Sequence, residues 1–266
     1  MSLFDFFRRA ASASAPAIAA PSRASKDARE HAAGGNPLAG RRLRYLIGCD
    51  ADVTGKDGEV FVVGYDVDRP PLYGIGVGYC NLFDENHTGK YGPYLHSSDT
   101  AARYREGQID PRGPGFERNL REQLGRRKAQ GFSYVELDNP DAYSIATSVR
   151  AIELARAYGL GVVAKNPGLM EGDASLILRQ GNVYGAIVEQ DAGDPHGMEK
   201  LRRAAARPAL PVWFVSFGAG RGWAERVAAD AAEYSSMSVT YSSAGEYGNS
   251  IDVHPPVKSA RERTPS

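Results

Sequence analysis

The residues best suited to chemistry in this sequence are acidic, and they follow short apolar runs of strand length. Glu136 and Asp138 lie at the end of the run 132–137, and Glu189 directly follows the run 184–188. Two carboxyl groups that face each other can cleave a glycosidic bond: one protonates the leaving oxygen, and the other attacks the anomeric carbon or activates water. Asp138 and Glu189 are therefore the candidate catalytic pair.

A strand–helix–strand unit between Gly131 and Asn166 is predicted to position these residues. Residues 132–137 form the first apolar run, and Asp138-Asn139-Pro140-Asp141 ends it as a turn. Ser144 is a candidate N-cap for a helix whose apolar residues recur every three or four positions, and residues 160–164 form the second run. A crossover of this length predicts parallel strands and a right-handed connection.

Parallel strands bring their carboxyl ends to one rim, which is where barrels of such strands carry their active sites. Lys165 and Asn166 end the second strand at that rim. Because alternation along a strand places Glu136 on the same side as Asp138, Glu136 is expected to line the barrel beneath it and to pair with Lys165. Lys165 also has a rival interpretation as a Schiff-base lysine.

The carboxylates have a second, structural interpretation. Asp138 or Asp141 could cap the following helix, and for Asp141 and Ser144 capping is the favoured role. For Asp138 we favour catalysis. Glu189 follows the apolar residues GAIV, where burial would raise its pKa and suit a general acid.

Three motifs in this region resemble those of a known family. LDNPDAY, GLGVVAKN and VEQ are similar to the successive motifs of glycoside hydrolase family 114, whose members are endo-α-1,4-polygalactosaminidases and relatives with a (β/α)8 barrel. Leu137 stands where the family pattern has its first proline, and Pro140 where it has valine. The resemblance covers roughly residues 116–191, and the Trp-Leu-Asp motif common in the family is not visible.

The resemblance implies a polysaccharide substrate and assigns roles to individual residues. Asp138 would be the nucleophile or base and Glu189 the acid, and hydrolysis by two carboxyl groups needs no cofactor or metal. An acidic rim would suit a polycationic, α-linked galactosamine polymer. The residues expected to bind substrate are Glu136, Asn139, Asp141, Tyr143, Lys165, Asn166, Gln190 and, in the tyrosine-containing strand GYCNLFDE, Tyr79.

Three segments are expected along the chain: a flexible Ala/Ser/Pro-rich tail over 1–40, a (β/α)8 barrel over 41–253 and a polar tail over 254–266. The first connections are too short for regular helices, so the barrel should be irregular at its start. Eight strands are predicted, which is the number that a closed barrel requires. They are 43–48, 60–65, 73–80, 132–137, 160–164, 184–188, 211–217 and 238–242.

Several other stretches invite a functional interpretation. The segment 81–115 is long and rich in tyrosine, and its rings could stack on sugars or pack the segment onto the barrel. Residues 50–59 begin like a calcium loop, but Phe61 occupies the position of the bidentate glutamate, which favours a polar turn. The glycine-rich stretch 218–222 lacks the third glycine of a phosphate loop and is interpreted as a rim loop. The five histidines show no metal-ligand spacing.

The amino-acid composition argues against two classes of partner, nucleic acids and membranes. The sequence has 32 Lys and Arg residues and 32 Asp and Glu residues, which gives no footprint for nucleic acid, and no run is long enough to span a membrane. Asp5 interrupts the first apolar stretch, unlike a signal peptide, although the Ala/Ser-rich region leaves an atypical export signal open.

Cys49 and Cys80 are expected to be buried thiols, with a disulfide left open. Location and oligomeric state are not indicated. A barrel that only binds carbohydrate is the rival function.

Overall fold

The computed structural model describes residues 35–47, 54–95, 107–167, 175–191, 210–217, 237–242 and 251–253, with residues 190, 191, 216 and 217 and the last two ranges as backbone only. The strands and helices in these residues are β1 (Arg42–Leu46), β2 (Gly55–Val63), β3 (Tyr73–Asn81), α1 (Pro114–Ala129), β4 (Tyr134–Asp138), α2 (Ile145–Ala157), β5 (Gly161–Lys165), α3 (Ser175–Leu178), β6 (Val183–Asp191), β7 (Val212–Phe217), β8 (Met237–Ser242) and β9 (Ile251–Val253).

The strands form one sheet in the order of the sequence. Each strand from β1 to β8 pairs in parallel with the next, and β9 adds an antiparallel edge to β8. β1 lies beside β8 and β9, so the sheet curves almost fully around on itself. The predicted (β/α)8 barrel is thereby confirmed, and the four strands predicted to end at Leu137, Lys165, Val188 and Phe217 are parallel neighbours as expected. The ninth strand was not expected.

The central strand–helix–strand unit follows its local sequence signals. The hydroxyl of Ser144 accepts a hydrogen bond from the backbone N–H of Thr147, which confirms Ser144 as the N-cap of α2. Gly159 ends the helix with a φ of 68°, in the left-handed region that glycine adopts without steric cost. β4 and β5 then pair from Tyr134 with Gly161 to Leu137 with Ala164.

Two faces of the sheet bury different sets of side chains. Val135, Leu137, Val162 and Ala164 pack with residues of α1 and α2 and therefore face the helices. Their neighbours along the strands point into the barrel, where apolar side chains fill the lower part. Those interior residues are Leu43, Tyr45, Val60, Val62, Val77, Tyr134, Val163, Ile187, Trp213 and Val215. Trp213 fits because Gly185 has no side chain: a Cβ there would lie 2.5 Å from the indole ring.

The amino-terminal end of the barrel is covered by the residues that precede β1. Leu38 is fully buried against the interior residues. The side-chain amide of Asn36 donates to the carbonyl oxygen of Tyr184, and the indole N–H of Trp213 donates to the carbonyl oxygen of Arg41. Residues 36–41 are thus part of the folded unit, although the sequence places 36–40 in the tail.

The first connections are short, as expected: β2 and β3 are joined by residues 64–72 without a helix. Gly55 and Gly58, which the sequence places in a polar turn, lie within β2 instead, with φ values of 79° and 81° where the register of β2 against β3 shifts between Gly55 and Val60. The predicted helices over 195–206 and up to 232, the glycine-rich loop, Cys49 and the tails before 35 and after 253 lie outside the described residues. Cys80 is a buried free thiol, and no helix in the described part of the chain is long and apolar enough to cross a membrane.

Candidate active site

Three charged residues meet at the carboxyl end of the barrel, each from the end of a different strand. Asp138 ends β4, Lys165 ends β5, and Glu189 lies near the end of β6. Strand alternation directs all three into the barrel, above the apolar interior, because their nearest strand neighbours face the helices. The site therefore lies at the mouth where barrels of this kind carry their chemistry.

Lys165 connects the two candidate catalytic carboxylates. Its Nζ lies 3.2 Å from Oδ1 of Asp138 and 2.7 Å from Oε2 of Glu189. The lysine is buried, whereas 13% of the side-chain surface of Asp138 and 17% of that of Glu189 are exposed to solvent. Burial lowers the pKa of Lys165, but the charges of Asp138 and Glu189 outweigh it and raise the pKa well above its ordinary value. Asp138 and Glu189 thus stabilise Lys165 as an ammonium between them.

Asp138 is oriented by donors on both of its carboxylate oxygens. The hydroxyl of Tyr79 donates to Oδ2 at 2.5 Å. The backbone N–H of Asn139 donates to Oδ1 at 2.8 Å, and Lys165 approaches the same oxygen. Charge-assisted bonds of this kind are stronger than neutral ones and fix the carboxylate plane. Tyr79, which the sequence suggested as a sugar-binding residue, therefore supports the carboxylate directly.

Glu136 occupies the layer beneath, where it is fully buried. Its two oxygens accept from the hydroxyl of Tyr45 on β1, at 2.9 and 3.1 Å. The sequence suggested a direct pair with Lys165, but that ammonium lies against Asp138 and Glu189, and it faces the ring of Tyr45 at 5.5 Å from the centroid. Burial raises the pKa of Glu136 to about 8, so the group is protonated at neutral pH.

This protonation predicts a pH dependence of stability that Glu136→Gln should remove. The unfolded chain loses the Glu136 proton near 4.5, whereas the folded protein keeps it until about 8. Between these values the folded state binds more protons, so the contribution of Glu136 makes the free energy of unfolding fall as pH rises, by up to about 1.4 kcal/mol per pH unit. Relative to wild type, Glu136→Gln should therefore gain stability from pH 5 to pH 8 in urea unfolding.

Glu153→Gln is the matched control for this experiment, because Glu153 is exposed on α2 and pairs only weakly with Arg156 at 3.6 Å. It should leave the slope of stability against pH unchanged. Equal slopes in wild type and Glu136→Gln would show that Glu136 is ionised in the folded protein, contrary to this account.

Asn166 connects the ends of β5 and β6. Its side-chain oxygen accepts from the backbone N–H of Glu189 at 2.8 Å, and its own N–H donates to the carbonyl oxygen of Ile187 at 2.7 Å. Asn166 has a φ of 47°, a left-handed conformation that asparagine tolerates better than most residues. It therefore fixes the backbone that carries Glu189. Gln190 follows on β6, and its side chain lies outside the described part.

The other residues expected at the site lie at different distances from it. Asn139 adjoins Asp138 at the rim and is partly exposed. Asp141 is also partly exposed, and burial, followed by the charge of Asp138, raises its pKa to about 6. Tyr143 is brought into the core instead: its ring packs edge-on against Phe83 and Phe116, and its hydroxyl donates to the carbonyl oxygen of Ile109.

The tyrosines of the long segment after β3 pack that segment onto the barrel where they are described. The hydroxyl of Tyr94 donates to Asp84, and its ring packs edge-on against His87. The hydroxyl of Tyr91 donates to Glu122 on α1. These contacts favour the packing role over stacking on sugars. Tyr104 and His96 lie outside the described residues.

Tyr45 and Asn81 were not recognised from the sequence. Tyr45 lies in an ordinary apolar strand run, and only closure of the barrel brings its hydroxyl to Glu136. Asn81 is fully buried beside Asp138 and accepts from the side-chain amide of Asn139 at 2.7 Å. The available indication for Asn81 was a polar residue that directly follows a predicted strand, 73–80. Among the described residues, no group of three His, Cys, Asp or Glu residues is arranged to hold a metal ion.

Comparison with known proteins gives matches in structure but not in sequence. No protein-family model and no curated protein matches the chain. Ega3 of Aspergillus fumigatus, solved in complex with galactosamine, is similar with a TM-score of 0.63 and 14% identity over 82% of this chain and 97% of that chain. The glycoside hydrolase domain of PelA from Pseudomonas aeruginosa is similar with a TM-score of 0.53 and 13% identity, covering 78% and 95%. A point variant of that domain gives the same TM-score at 11% identity.

These identities are too low to transfer an activity, but the likeness extends over nearly the whole length of each neighbour. It agrees with the family resemblance of the three motifs in the sequence. The chain therefore has the (β/α)8 barrel fold that Ega3 and the PelA glycoside hydrolase domain share.

Proposed function

We propose that this protein is a glycoside hydrolase that cleaves an α-linked, galactosamine-containing polysaccharide with two carboxyl groups, Asp138 and Glu189. The observation that carries the proposal is their convergence on Lys165 at the carboxyl mouth of the barrel. The structural likeness to a glycoside hydrolase domain and to a protein solved with galactosamine supports this reaction class and this sugar.

The environments of the two carboxyl groups favour different roles. Asp138 is anchored through both oxygens by Tyr79, Lys165 and its own turn, as a nucleophile must be if it is to face the anomeric carbon. The side chain of Glu189 is partly exposed, so solvent can deliver the proton that it must carry to the leaving oxygen. Glu189 is therefore the general acid of the proposal. To act, it has to take up a proton and leave Lys165, which can stay with Asp138.

The spacing of the facing oxygens of the two carboxyl groups is short enough to allow a covalent intermediate. Because one Nζ lies 3.2 and 2.7 Å from their oxygens, Oδ1 of Asp138 and Oε2 of Glu189 are at most about 6 Å apart. Retaining glycosidases separate their carboxyl groups by about 5–5.5 Å, and inverting enzymes by about 6.5–9.5 Å to admit a water molecule. In the proposed reaction Asp138 attacks the anomeric carbon as Glu189 protonates the leaving oxygen, and water then releases the sugar from Asp138.

The charge of the rim suits an amino sugar. Asp141 is partly exposed beside Asp138 and ionises as the pH rises through about 6, so it is a carboxylate at neutral pH. A galactosamine residue with a free amine is a cation near neutral pH and gains from such a partner. Asp141 is therefore the proposed contact for the sugar ammonium, and Asn139 lies next to it at the rim.

The chemistry of Lys165 argues against a Schiff-base lyase. An amine must lose its proton to attack a carbonyl, and such lysines have a lowered pKa. Lys165 has the opposite environment, since Asp138 and Glu189 both stabilise its ammonium. Its role in the proposal is to let two acids share one partly buried site.

A polymer assay separates the hydrolase from a barrel that only binds carbohydrate. Wild-type protein is expected to release new reducing ends from de-acetylated α-1,4-linked galactosamine polymer, and less from the fully acetylated polymer, because acetylation removes the cation that Asp141 would contact. Reducing-end release and a binding isotherm are measured on the same polymers, with chitosan as a β-linked cationic control. Tight binding without release on every polymer would identify a binding module instead.

A further inference from the structure

Asn81 is a fully buried polar residue whose position is set by the sheet. It ends β3 directly beside Asp138 in the parallel register. Its side-chain oxygen accepts two hydrogen bonds, from the side-chain amide of Asn139 at 2.7 Å and from the backbone N–H of Phe83 at 2.9 Å. The side chain of Asn81 thus connects the end of β3 to the turn that follows β4.

That turn has an unusual backbone. Asn139 has φ 61° and ψ 28°, in the left-handed region that L-residues rarely occupy. The backbone N–H of Asn139 donates to Oδ1 of Asp138 at 2.8 Å. Such conformations persist where the surrounding structure fixes them, and the described side-chain partner of Asn139 is Asn81.

Asn81 is itself anchored from the helix layer. On α1, Gln123 donates to the carbonyl oxygen of Asn81 at 2.7 Å and accepts from its backbone N–H at 2.9 Å. The hydroxyl of Tyr65 donates to the same Gln123 oxygen, and Asn119 donates to the carbonyl oxygen of Phe83. These groups are buried or partly buried, so each hydrogen bond fixes geometry as well as satisfying a polar atom.

We propose that Asn81 is a positioning residue for the reaction: through the side-chain amide of Asn139 it fixes the turn after Asp138 and so the orientation of the attacking carboxylate. The proposal rests on the proposed function, in which Asp138 is the nucleophile. In this proposal α1 holds Asn81 in place, and Asn81 holds the side chain of Asn139. The backbone N–H of Asn139 in turn fixes Oδ1 of Asp138. A displacement of about 1 Å at a reacting group can cost on the order of a hundredfold in rate.

A double-mutant cycle tests this connection. Asn81→Leu removes the acceptor, and Asn139→Gly removes only the amide, because glycine adopts the left-handed conformation freely. Each variant should lower kcat on galactosamine polymer by on the order of tenfold to a hundredfold, with KM changed less than about threefold. If the two amides act as one unit, the double variant should be no slower than the slower single variant. Multiplying effects would mean that Asn139 acts on the substrate directly, and would overturn the proposal.

Asn182→Leu is the matched control. Asn182 is also buried, and its amide donates to the carbonyl oxygen of Ile152 at 3.0 Å just before β6, at the opposite end of the barrel. This variant should lose comparable stability and keep kcat and KM. A similar fall in kcat for Asn182→Leu would show that the loss at Asn81 reflects general destabilisation.

Amide hydrogen exchange at position 139, followed by NMR, tests the same connection without any hydrolysis. Asn81→Leu should raise the exchange rate there by at least about tenfold while the amides of β5 keep their protection. Unchanged exchange at position 139 would overturn the proposal even in an active enzyme. If wild type cleaves no polymer, the proposed function fails. The exchange result still shows whether Asn81 holds the turn at Asn139. Should Asn81→Leu not fold, Asn139→Gly provides the same measurement.

Discussion

Asp138→Asn is expected to lower kcat on galactosamine polymer by at least about a hundredfold while the protein stays folded and binds the polymer. The amide has the shape of the carboxylate but cannot attack the anomeric carbon. Its oxygen can still accept from Tyr79, and Lys165 keeps Glu189 as an ion-pair partner. The amide nitrogen then faces Lys165 and the backbone N–H of Asn139, so the melting temperature should fall, but the loss of kcat, measured by reducing-end release, should persist at temperatures where the variant is fully folded.

The control for Asp138→Asn is Asp110→Asn, which removes a carboxylate of the same type outside the site. Asp110 pairs with the exposed Arg112 in the segment before α1. Its loss should leave kcat unchanged. Release by Asp138→Asn at the wild-type rate would assign the nucleophile or base to another residue.

Glu189→Gln should lower turnover by a factor that depends on the leaving group. On the polymer, whose leaving group is a sugar hydroxyl, the loss should be on the order of a hundredfold or more because the bond breaks without a proton. On an aryl α-galactosaminide with an acidic phenol, the first step needs no proton, and the loss should shrink to within about tenfold. The measurement compares kcat/KM for both substrates in wild type and variant.

Two comparisons make the Glu189 result specific. Asp138→Asn should be equally impaired on both substrates, because a better leaving group does not replace a nucleophile. Glu153→Gln, on the exposed face of α2, should behave as wild type on both. An equal loss for Glu189→Gln on polymer and aryl glycoside would contradict its role as the acid.

The convergence of Asp138, Lys165 and Glu189 could be predicted from the sequence because it follows from topology. Short apolar runs joined by a helix-length crossover form parallel strands, and parallel strands place their carboxyl ends on one rim. The position of each residue at the end of its run then determines which side chains meet. The N-cap at Ser144 and the left-handed Gly159 were equally local, since each depends on one turn of chain.

The partners of these residues could not be predicted, because they depend on how distant strands close around the barrel. Tyr45 and Glu136 are 91 positions apart and meet across the interior. The sequence therefore suggested the wrong direct partner for Glu136, although its place beneath Asp138 was expected. Asn81 depends in the same way on the packing of α1 against the end of β3.

Tyr143 shows why closeness in sequence is a weak guide to a site. It follows Asp138 by five residues in the motif that resembles the hydrolase family. The short 3-10 turn Pro140–Ala142 intervenes, and the ring of Tyr143 then packs between Phe83 and Phe116. Its hydroxyl binds the carbonyl oxygen of Ile109, so Tyr143 anchors the preceding segment to the core.

Covalent trapping tests the central claim most directly. A 5-fluoro-α-galactosaminyl fluoride has a leaving group that needs little acid assistance and a fluorine that slows release of the sugar from the enzyme. Incubation with wild-type protein should add one fluorosugar, and peptide mass spectrometry should place it on Asp138; Asp138→Asn should remain unlabelled. Label on Lys165 or Glu189, or turnover of the fluoride to product of inverted anomeric configuration without an adduct, would contradict Asp138 as the nucleophile.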